Sequence, residues 1–139
     1  LSGANLTGAE LNATLLEGAD LSRANLTEAI LTDANLKNAF LIGANIQKAD
    51  LQGVNLEGAD MAGVKLRNAN LKNANLKQVD LRRADLEHAD FSKANLSSAN
   101  FTGAKMSEAL FIGADLTGTN MDSADITDTQ FKDAIGFKA

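Results

Sequence analysis

The sequence contains no cysteine, proline, tryptophan or tyrosine among its 139 residues. Without cysteine the chain can form no disulfide framework and offers no thiolate for catalysis. With a single histidine, His88, and no cysteine, a zinc site built from those residue types is excluded by count. These absences remove disulfide-stabilised proteins and zinc sites built from cysteine and histidine from consideration, and they leave the cellular compartment open.

Long apolar runs are also absent. Hydrophobic residues make up 45% of the chain, yet no run approaches the roughly 20 residues that span a bilayer, and no leader segment is visible. We therefore expect no membrane contact by this segment itself. The net charge of −5 argues against a general attraction to nucleic acid. Because the chain begins at Leu1, inside a repeat and without an initiator methionine, we expect a mature product or an excised domain.

A period of five residues organises the whole chain. From Leu1 to Phe131 every fifth residue is apolar, at 27 positions in unbroken phase, of which 18 are leucine and four are phenylalanine. A second series, from Ala4 to Ala139, is alanine at 22 of 28 positions and otherwise valine or threonine. The residue between the two series is Asn or Asp at 18 of 27 sites. Ten of the eleven glycines lie two residues after the large apolar position.

This period fits neither of the common regular structures. A helix of 3.6 residues per turn would spread the apolar positions over all of its faces, and a strand has a period of two. A solenoid that turns a corner every five residues does fit, because both apolar series then point inward. The glycine-rich position suits a tight turn with positive φ, and Asn or Asp can bond to nearby backbone at such corners.

The segments ANLTG (residues 4–8) and ADLEH (residues 84–88) resemble the A-[D/N]-L-x-x signature of the pentapeptide-repeat family. The resemblance covers essentially the whole chain. It implies an all-β fold: a right-handed quadrilateral β-helix (solenoid) with four pentapeptides per coil and about seven coils. Residue n then stacks on residue n+20, and at about 4.8 Å per coil the rod is on the order of 33 Å long.

The domain boundaries follow from where the repeat ends. We assign residues 1–134 to the solenoid and residues 135–139 to a short C-terminal cap or tail, in which Phe137 could cover the last coil. Stacking by twenty also predicts a phenylalanine column, Phe91, Phe111 and Phe131, that continues a leucine column. We interpret this column as core packing and expect no cofactor, since alanine and leucine leave no room inside.

The sequence offers no arrangement of catalytic groups. His88 falls in an outward position, and we interpret it as an ordinary surface residue. Carboxylates that stack between coils, such as Asp60 and Asp80, are interpreted as corner hydrogen-bonding groups. The glycines follow the repeat and form no phosphate-binding loop. We therefore expect a protein that is not an enzyme and that carries no metal site.

Charge is banded along the chain: residues 1–60 carry −5, residues 61–105 carry +4 and residues 106–139 carry −4. By the twenty-residue register the basic residues wrap around several faces. We weigh a solvated surface, a contact with an acidic partner and, least favoured, a nucleic-acid site, which would need a one-sided patch with aromatics. The group that we call the basic belt comprises Lys65, Arg67, Lys72, Lys77, Arg82, Arg83 and Lys93.

Two outward positions in each of two segments are apolar. Phe40 and Ile42, with Ala62 beside Ile42, are expected to form a small exposed patch, and Leu110 and Ile112 form another on the opposite side. Each patch is either tolerated surface or a protein contact. Together with the basic belt these residues are our candidate contact sites.

The hypothesis that we favour is a non-catalytic structural or protein-interaction rod. Uninterrupted repeats of this kind resemble those of cyanobacteria, which implies that the rod could be the repeat domain of a larger membrane-attached or signalling protein. End-to-end self-association through an uncapped N-terminal coil is a further expectation. The compartment that we favour is the cytoplasm, with the periplasm and the thylakoid lumen as alternatives.

Two other classes of function compete with the rod. Quinolone-resistance members of the family resemble DNA in shape and charge and bind DNA gyrase. Three features weaken that likeness: the basic belt, the lack of a helical C-terminal dimerisation segment and the lack of a projecting loop. An enzyme that depends on His88 is the weakest hypothesis.

Overall fold

A computed structural model describes residues 1–137. Within that range there is no helix and no continuous strand; 23 isolated parallel bridges join residue n to residue n+20, from Asn5–Asn25 to Asp115–Ile135. The Asn25 N–H donates to the Ala4 carbonyl at 2.8 Å. The chain therefore folds as a β-helix in which residues twenty apart lie in register. Ile135 was assigned to the tail, but its pairing with Asp115 extends the ladder through this residue.

Each pentapeptide closes with a β-turn. The backbone N–H of the small residue donates to the carbonyl of the large apolar residue three positions earlier, as in Ala24 to Leu21 at 3.0 Å. The third residue of the turn has positive φ at all 27 positions, although only ten of them are glycine. Positive φ at this position is a requirement of the type II turn, and the predicted tight turn with positive φ is confirmed. At Gly53 a Cβ would meet Oδ1 of the exposed Asp33 side chain, which would have to turn aside.

Asparagine and aspartate side chains form hydrogen bonds to the backbone at the corners. At all 18 sites where they precede the large apolar residue, Oδ1 accepts a hydrogen bond from the backbone N–H two residues later. Between Asp115 and Thr117 this bond is 3.0 Å long, and the threonine hydroxyl adds another at 2.6 Å. The prediction that these residues bond to nearby backbone is confirmed. Each bond links the residue that precedes a turn to the second residue of that turn.

The interior is filled by the two apolar series. Every member from Leu21 to Leu116 is buried, and no polar or charged residue of the described chain is buried. Phe111 stacks on Phe91 at 4.9 Å and on Phe131 at 5.5 Å between ring centroids. The predicted phenylalanine column is therefore confirmed.

The last described residue packs against one ring at the C-terminal end of the rod. The Phe137 ring stacks on Phe131 at 3.7 Å between centroids, which is the covering contact expected from the sequence. Residues 138 and 139 of the predicted tail lie outside the described residues. No helix within residues 1–137 is long and apolar enough to cross a membrane.

Candidate interaction surfaces

The interior shows no sign of an internal binding site. Among residues 1–137, no buried side-chain nitrogen or oxygen lacks a hydrogen-bond partner, and no group of three or more His, Asp or Glu residues is placed to hold a metal ion. An unpaired buried polar atom would have marked an internal site, because it is costly unless a ligand satisfies it. Within residues 1–137 the buried residues are all apolar, so the polar and charged side chains lie on the outer surface.

His88 lies on that outer surface and is exposed, as predicted. Its Nδ1 atom is 3.5 Å from Oε2 of Glu108, which lies one coil further on in the same column. Because both side chains are open to solvent, this ion pair contributes little even when the imidazole is protonated. The arrangement supplies a partner for the imidazole and no nucleophile that it could activate.

Two members of the basic belt are paired to acids of the following coil. The Arg67 Nε atom lies 3.0 Å from Oδ2 of Asp85, and its Nη2 pairs with Oε2 of Glu87. These hydrogen bonds, chiefly the one to Asp85, raise the pKa of Arg67. The Lys72 Nζ atom is 3.5 Å from Oδ2 of Asp90. The positive charges of Arg67 and Lys72 are therefore compensated in place.

Arg82 is held by Asp80 in its own pentapeptide. Its Nε and Nη2 atoms bond the carboxylate at 2.9 and 2.6 Å, and this pairing with Arg82 lowers the pKa of Asp80. The rest of the belt is exposed and makes no ion pair with any residue from 1 to 137. These remaining residues are Lys65, Lys77, Arg83 and Lys93.

The two apolar pairs differ in exposure. Phe40 and Ile42 are 49% and 43% exposed, so the expected patch is present. Leu110 and Ile112 are half-buried, and the second exposed patch is not formed.

The register gives a physical reason for this difference. In the next coil the small residue Ala62 is in register with Ile42, whereas the long residues Gln130 and Lys132 are in register with Leu110 and Ile112. A small neighbour leaves more of an apolar side chain in contact with water.

The sequence analysis also missed Leu15, whose side chain is 85% exposed. Leu15 occupies a position of the repeat that usually holds Asn or Asp, so inspecting that position alone could have found it.

One corner of the rod combines an apolar and a basic feature. The register places Ile42, Ala62 and Arg82 in one column, and Gly63 and Arg83 in the column beside it. The sequence analysis treated the apolar pair and the arginines as separate features. Ile42 and Arg82 are forty residues apart, which is two coils, and this spacing in the sequence could have shown that they share a column. The corner holds an open depression of about 530 Å³, lined by Ala62, Gly63, Arg82, Arg83 and Thr102.

The five-residue repeat of this chain matches a known protein family. The profile of the family described as pentapeptide repeats matches in eight copies, over residues 1–38, 26–63, 59–97 and 99–135. The chain belongs to the pentapeptide-repeat family. A comparison with curated proteins found no match.

Solved structures of this family resemble the chain. The pentapeptide repeat protein Rfr23 from the cyanobacterium Cyanothece 51142 is 34% identical, with a TM-score of 0.64, over 66% of this chain and 63% of that one. The match thus spans less than two thirds of Rfr23. HetL, involved in heterocyst differentiation regulation in the cyanobacterium Nostoc sp. strain PCC 7120, is 24% identical over 99% of this chain and 91% of its own, with a TM-score of 0.71.

A third similar structure is that of a resistance protein. QnrB1, a plasmid-mediated fluoroquinolone resistance protein, is 21% identical over 95% of this chain and 79% of its own, with a TM-score of 0.52. At this identity, as for HetL, the likeness shows the fold alone. The repeat and the fold are shared across proteins with different described roles, so function has to be argued from the surface.

Proposed function

We propose that this chain is a non-catalytic protein-interaction rod. The observation that carries the proposal is the filled interior: the apolar positions from Leu21 to Leu116 are buried, which leaves only the outer surface for recognition. Exposed apolar side chains at Phe40 and Ile42, with Arg83 two coils further on and in no ion pair with a described residue, give that surface the mixed character of protein contacts. The proposal includes the hypothesis that the rod is the repeat domain of a larger membrane-attached or signalling protein.

The geometry that we propose for the rod is a right-handed, four-sided solenoid of about seven coils. A twenty-residue register with a turn in every pentapeptide supports four corners per coil. Right-handed winding is the handedness that the family resemblance implies. A crystal structure of the 139-residue chain would test both features, and a left-handed or three-sided section would refute them.

The interaction role can be tested with a purified pair of proteins. The rod would be used to capture partners from an extract of its source organism, and each candidate would be purified and titrated against the rod by calorimetry. We expect at least one partner to bind with a dissociation constant in the micromolar range or below, with no covalent change to either protein. A chemical change catalysed by the rod, lost in His88→Ala, would refute the non-catalytic role, and failure of every purified candidate to bind would refute the interaction role.

Self-association through the ends is a second proposal, supported by unpaired backbone on the first coil. The Asn25 N–H donates to Ala4, but the equivalent N–H groups one coil earlier have no partner within residues 1–137; they belong to Asn5, Glu10, Leu15 and Asp20. A second copy that continued the register would supply the missing carbonyls. Solution scattering from the 139-residue chain should then show particles longer than one rod at high concentration, and a single-rod length at every concentration would refute stacking.

The DNA-mimic hypothesis is not the one that we favour. A mimic of DNA needs continuous negative charge along its surface, whereas the basic belt separates two acidic segments here. A supercoiling assay with DNA gyrase provides the test. We expect neither inhibition of the enzyme nor protection from a quinolone at micromolar protein, and either effect would revive this hypothesis.

A further inference from the structure

We propose that one corner of the rod, comprising Phe40, Ile42, Ala62, Gly63, Arg82 and Arg83 and called here the Ile42 corner, binds an extended acidic and apolar segment of a protein partner. An aliphatic or aromatic side chain of the segment packs on Ile42 and Ala62, and an Asp or Glu carboxylate pairs with Arg83. This inference rests on the proposed interaction role and names the chemistry of the ligand.

In the apolar half of the corner, Phe40 occupies a position where the repeat usually has Asn or Asp, and the fold does not require an aromatic side chain there. One coil before and one coil after Phe40, Asp20 and Asp60 accept hydrogen bonds from Ser22 and Ala62 N–H at 3.0 and 3.3 Å. Phe40 has no oxygen to accept the corresponding bond. The substitution therefore gives up a corner bond and leaves about half of an aromatic ring in water, which reduces folding stability and favours burial against another molecule.

The basic half contains one immobilised and one available arginine. Asp80 fixes Arg82 through bonds of 2.9 and 2.6 Å, whereas Arg83 makes no ion pair with any described residue. The Cγ atom of Arg83 lies 3.6 Å from the position that a Cβ on Gly103 would take. Its stem thus lies against the following coil, and its guanidinium is left to pair with a ligand.

The space between the two halves is open. Nothing lies within 4 Å of the position that a Cβ on Gly63 would take, and Ala62 beside it has only a methyl group. The resulting depression of about 530 Å³ is lined by these two residues together with Arg82, Arg83 and Thr102, one coil beyond Ile42. A ligand that contacts both Ile42 and Arg83 must therefore carry its apolar group and its charge some distance apart.

Charge and spacing select the ligand. Since Asp80 neutralises Arg82, one free guanidinium remains, which matches a single carboxylate better than a doubly charged phosphate or a nucleic-acid backbone. Ile42 and Arg82 are two coils apart, about 10 Å at the spacing of paired strands. An extended peptide covers about 3.3 Å per residue, so the apolar and acidic side chains should lie two to four residues apart.

Selection from a displayed library of random peptides tests the inference on the 139-residue chain. We expect enriched peptides to carry Asp or Glu within four residues of Leu, Ile or Phe. Synthetic copies should bind Ile42→Ser and Arg83→Glu at least about tenfold more weakly, a change equivalent to about 1.4 kcal/mol. Ile112→Ser and Lys93→Glu provide matched controls on the opposite corner, where binding should change less than about twofold.

A further variant guards against loss of binding by unfolding. Phe40→Asn should restore the corner bond and melt no lower than the wild type, yet bind the selected peptides more weakly. An unselective library, enriched peptides without acids, or equal binding to all variants would overturn the inference, as would preference for a phosphorylated copy over the acidic one. If a purified partner bound Ile42→Ser and Arg83→Glu as well as wild type, the Ile42 corner would be refuted while the interaction role stood.

Discussion

Replacing Phe111 by leucine tests how much the aromatic column contributes to stability. Phe111 is fully buried and contacts three other rings: Phe91 at 4.9 Å, Phe131 at 5.5 Å and, edge-on, Phe101 at 5.8 Å. Leucine is the natural residue of the same column at Leu71, so the side chain should fit without rearrangement. The variant removes ring contacts while keeping the position apolar.

The magnitude follows from comparison with Phe101→Leu. Phe101 is equally buried but has one ring partner, Phe111. The loss of apolar area on changing phenylalanine to leucine is common to both variants and cancels. Each ring pair contributes about 0.5–1.5 kcal/mol beyond area burial, and the two variants differ by two pairs. We therefore expect Phe111→Leu to cost about 1–3 kcal/mol more than Phe101→Leu.

Urea unfolding followed by circular dichroism supplies the measurement, because the chain has no tryptophan or tyrosine for fluorescence. The midpoint and slope of wild type, both single variants and the double variant give a double-mutant cycle. Since Phe101 and Phe111 share one ring contact, the double variant should cost less than the two single costs added together. Equal costs for the single variants within about 0.5 kcal/mol, or strict additivity, would contradict the stacking argument.

Three further predictions concern the corners. Phe40→Asn should stabilise the rod by about 0.5–1.5 kcal/mol in urea unfolding, because it restores a corner hydrogen bond, whereas Phe40→Leu should not. Hydrogen bonds from the threonines two residues later lower the pKa of Asp115 and Asp125 below the ordinary 3.8. The free energy of unfolding should therefore be full above pH 3.8 and should fall as the pH drops through the lowered pKa values. This fall should be less steep in Asp115→Asn. Gly53→Ala should be destabilised more than Gly63→Ala, since only the first Cβ would meet a carboxylate from the previous coil.

The sequence alone predicted the features that the five-residue period determines. Alternation of a large and a small apolar series leaves one way to bury both, with corners every five residues. The tight turn with positive φ followed from the glycine position, and the corner bonds followed from the short acceptor side chains of Asn and Asp. The phenylalanine column required one further step, stacking by twenty, which placed Phe91, Phe111 and Phe131 together.

The surface was harder to predict because exposure depends on neighbours from adjacent coils. Leu110 and Phe40 occupy equivalent outward positions, yet Leu110 is half-buried and Phe40 is 49% exposed. Counting charges along the chain also hid the pairing of Arg67 with Asp85 and Glu87, which are 18 and 20 residues away. In a solenoid the nearest surface neighbours are one coil apart, so a linear reading separates groups that are in contact.

The proposed binding surface includes a position where the sequence departs from the repeat. Of the 27 positions before a large apolar residue, 18 hold Asn or Asp, and each of these makes its corner bond. The remaining nine give up that bond, so their side chains are not explained by corner stability. At Phe40 the replacement is aromatic, exposed and next to Ile42, on the corner that also holds Arg83 without an ion pair among the described residues. The proposed contact at the Ile42 corner rests on this combination, because corner hydrogen bonding does not account for an exposed aromatic side chain at this position.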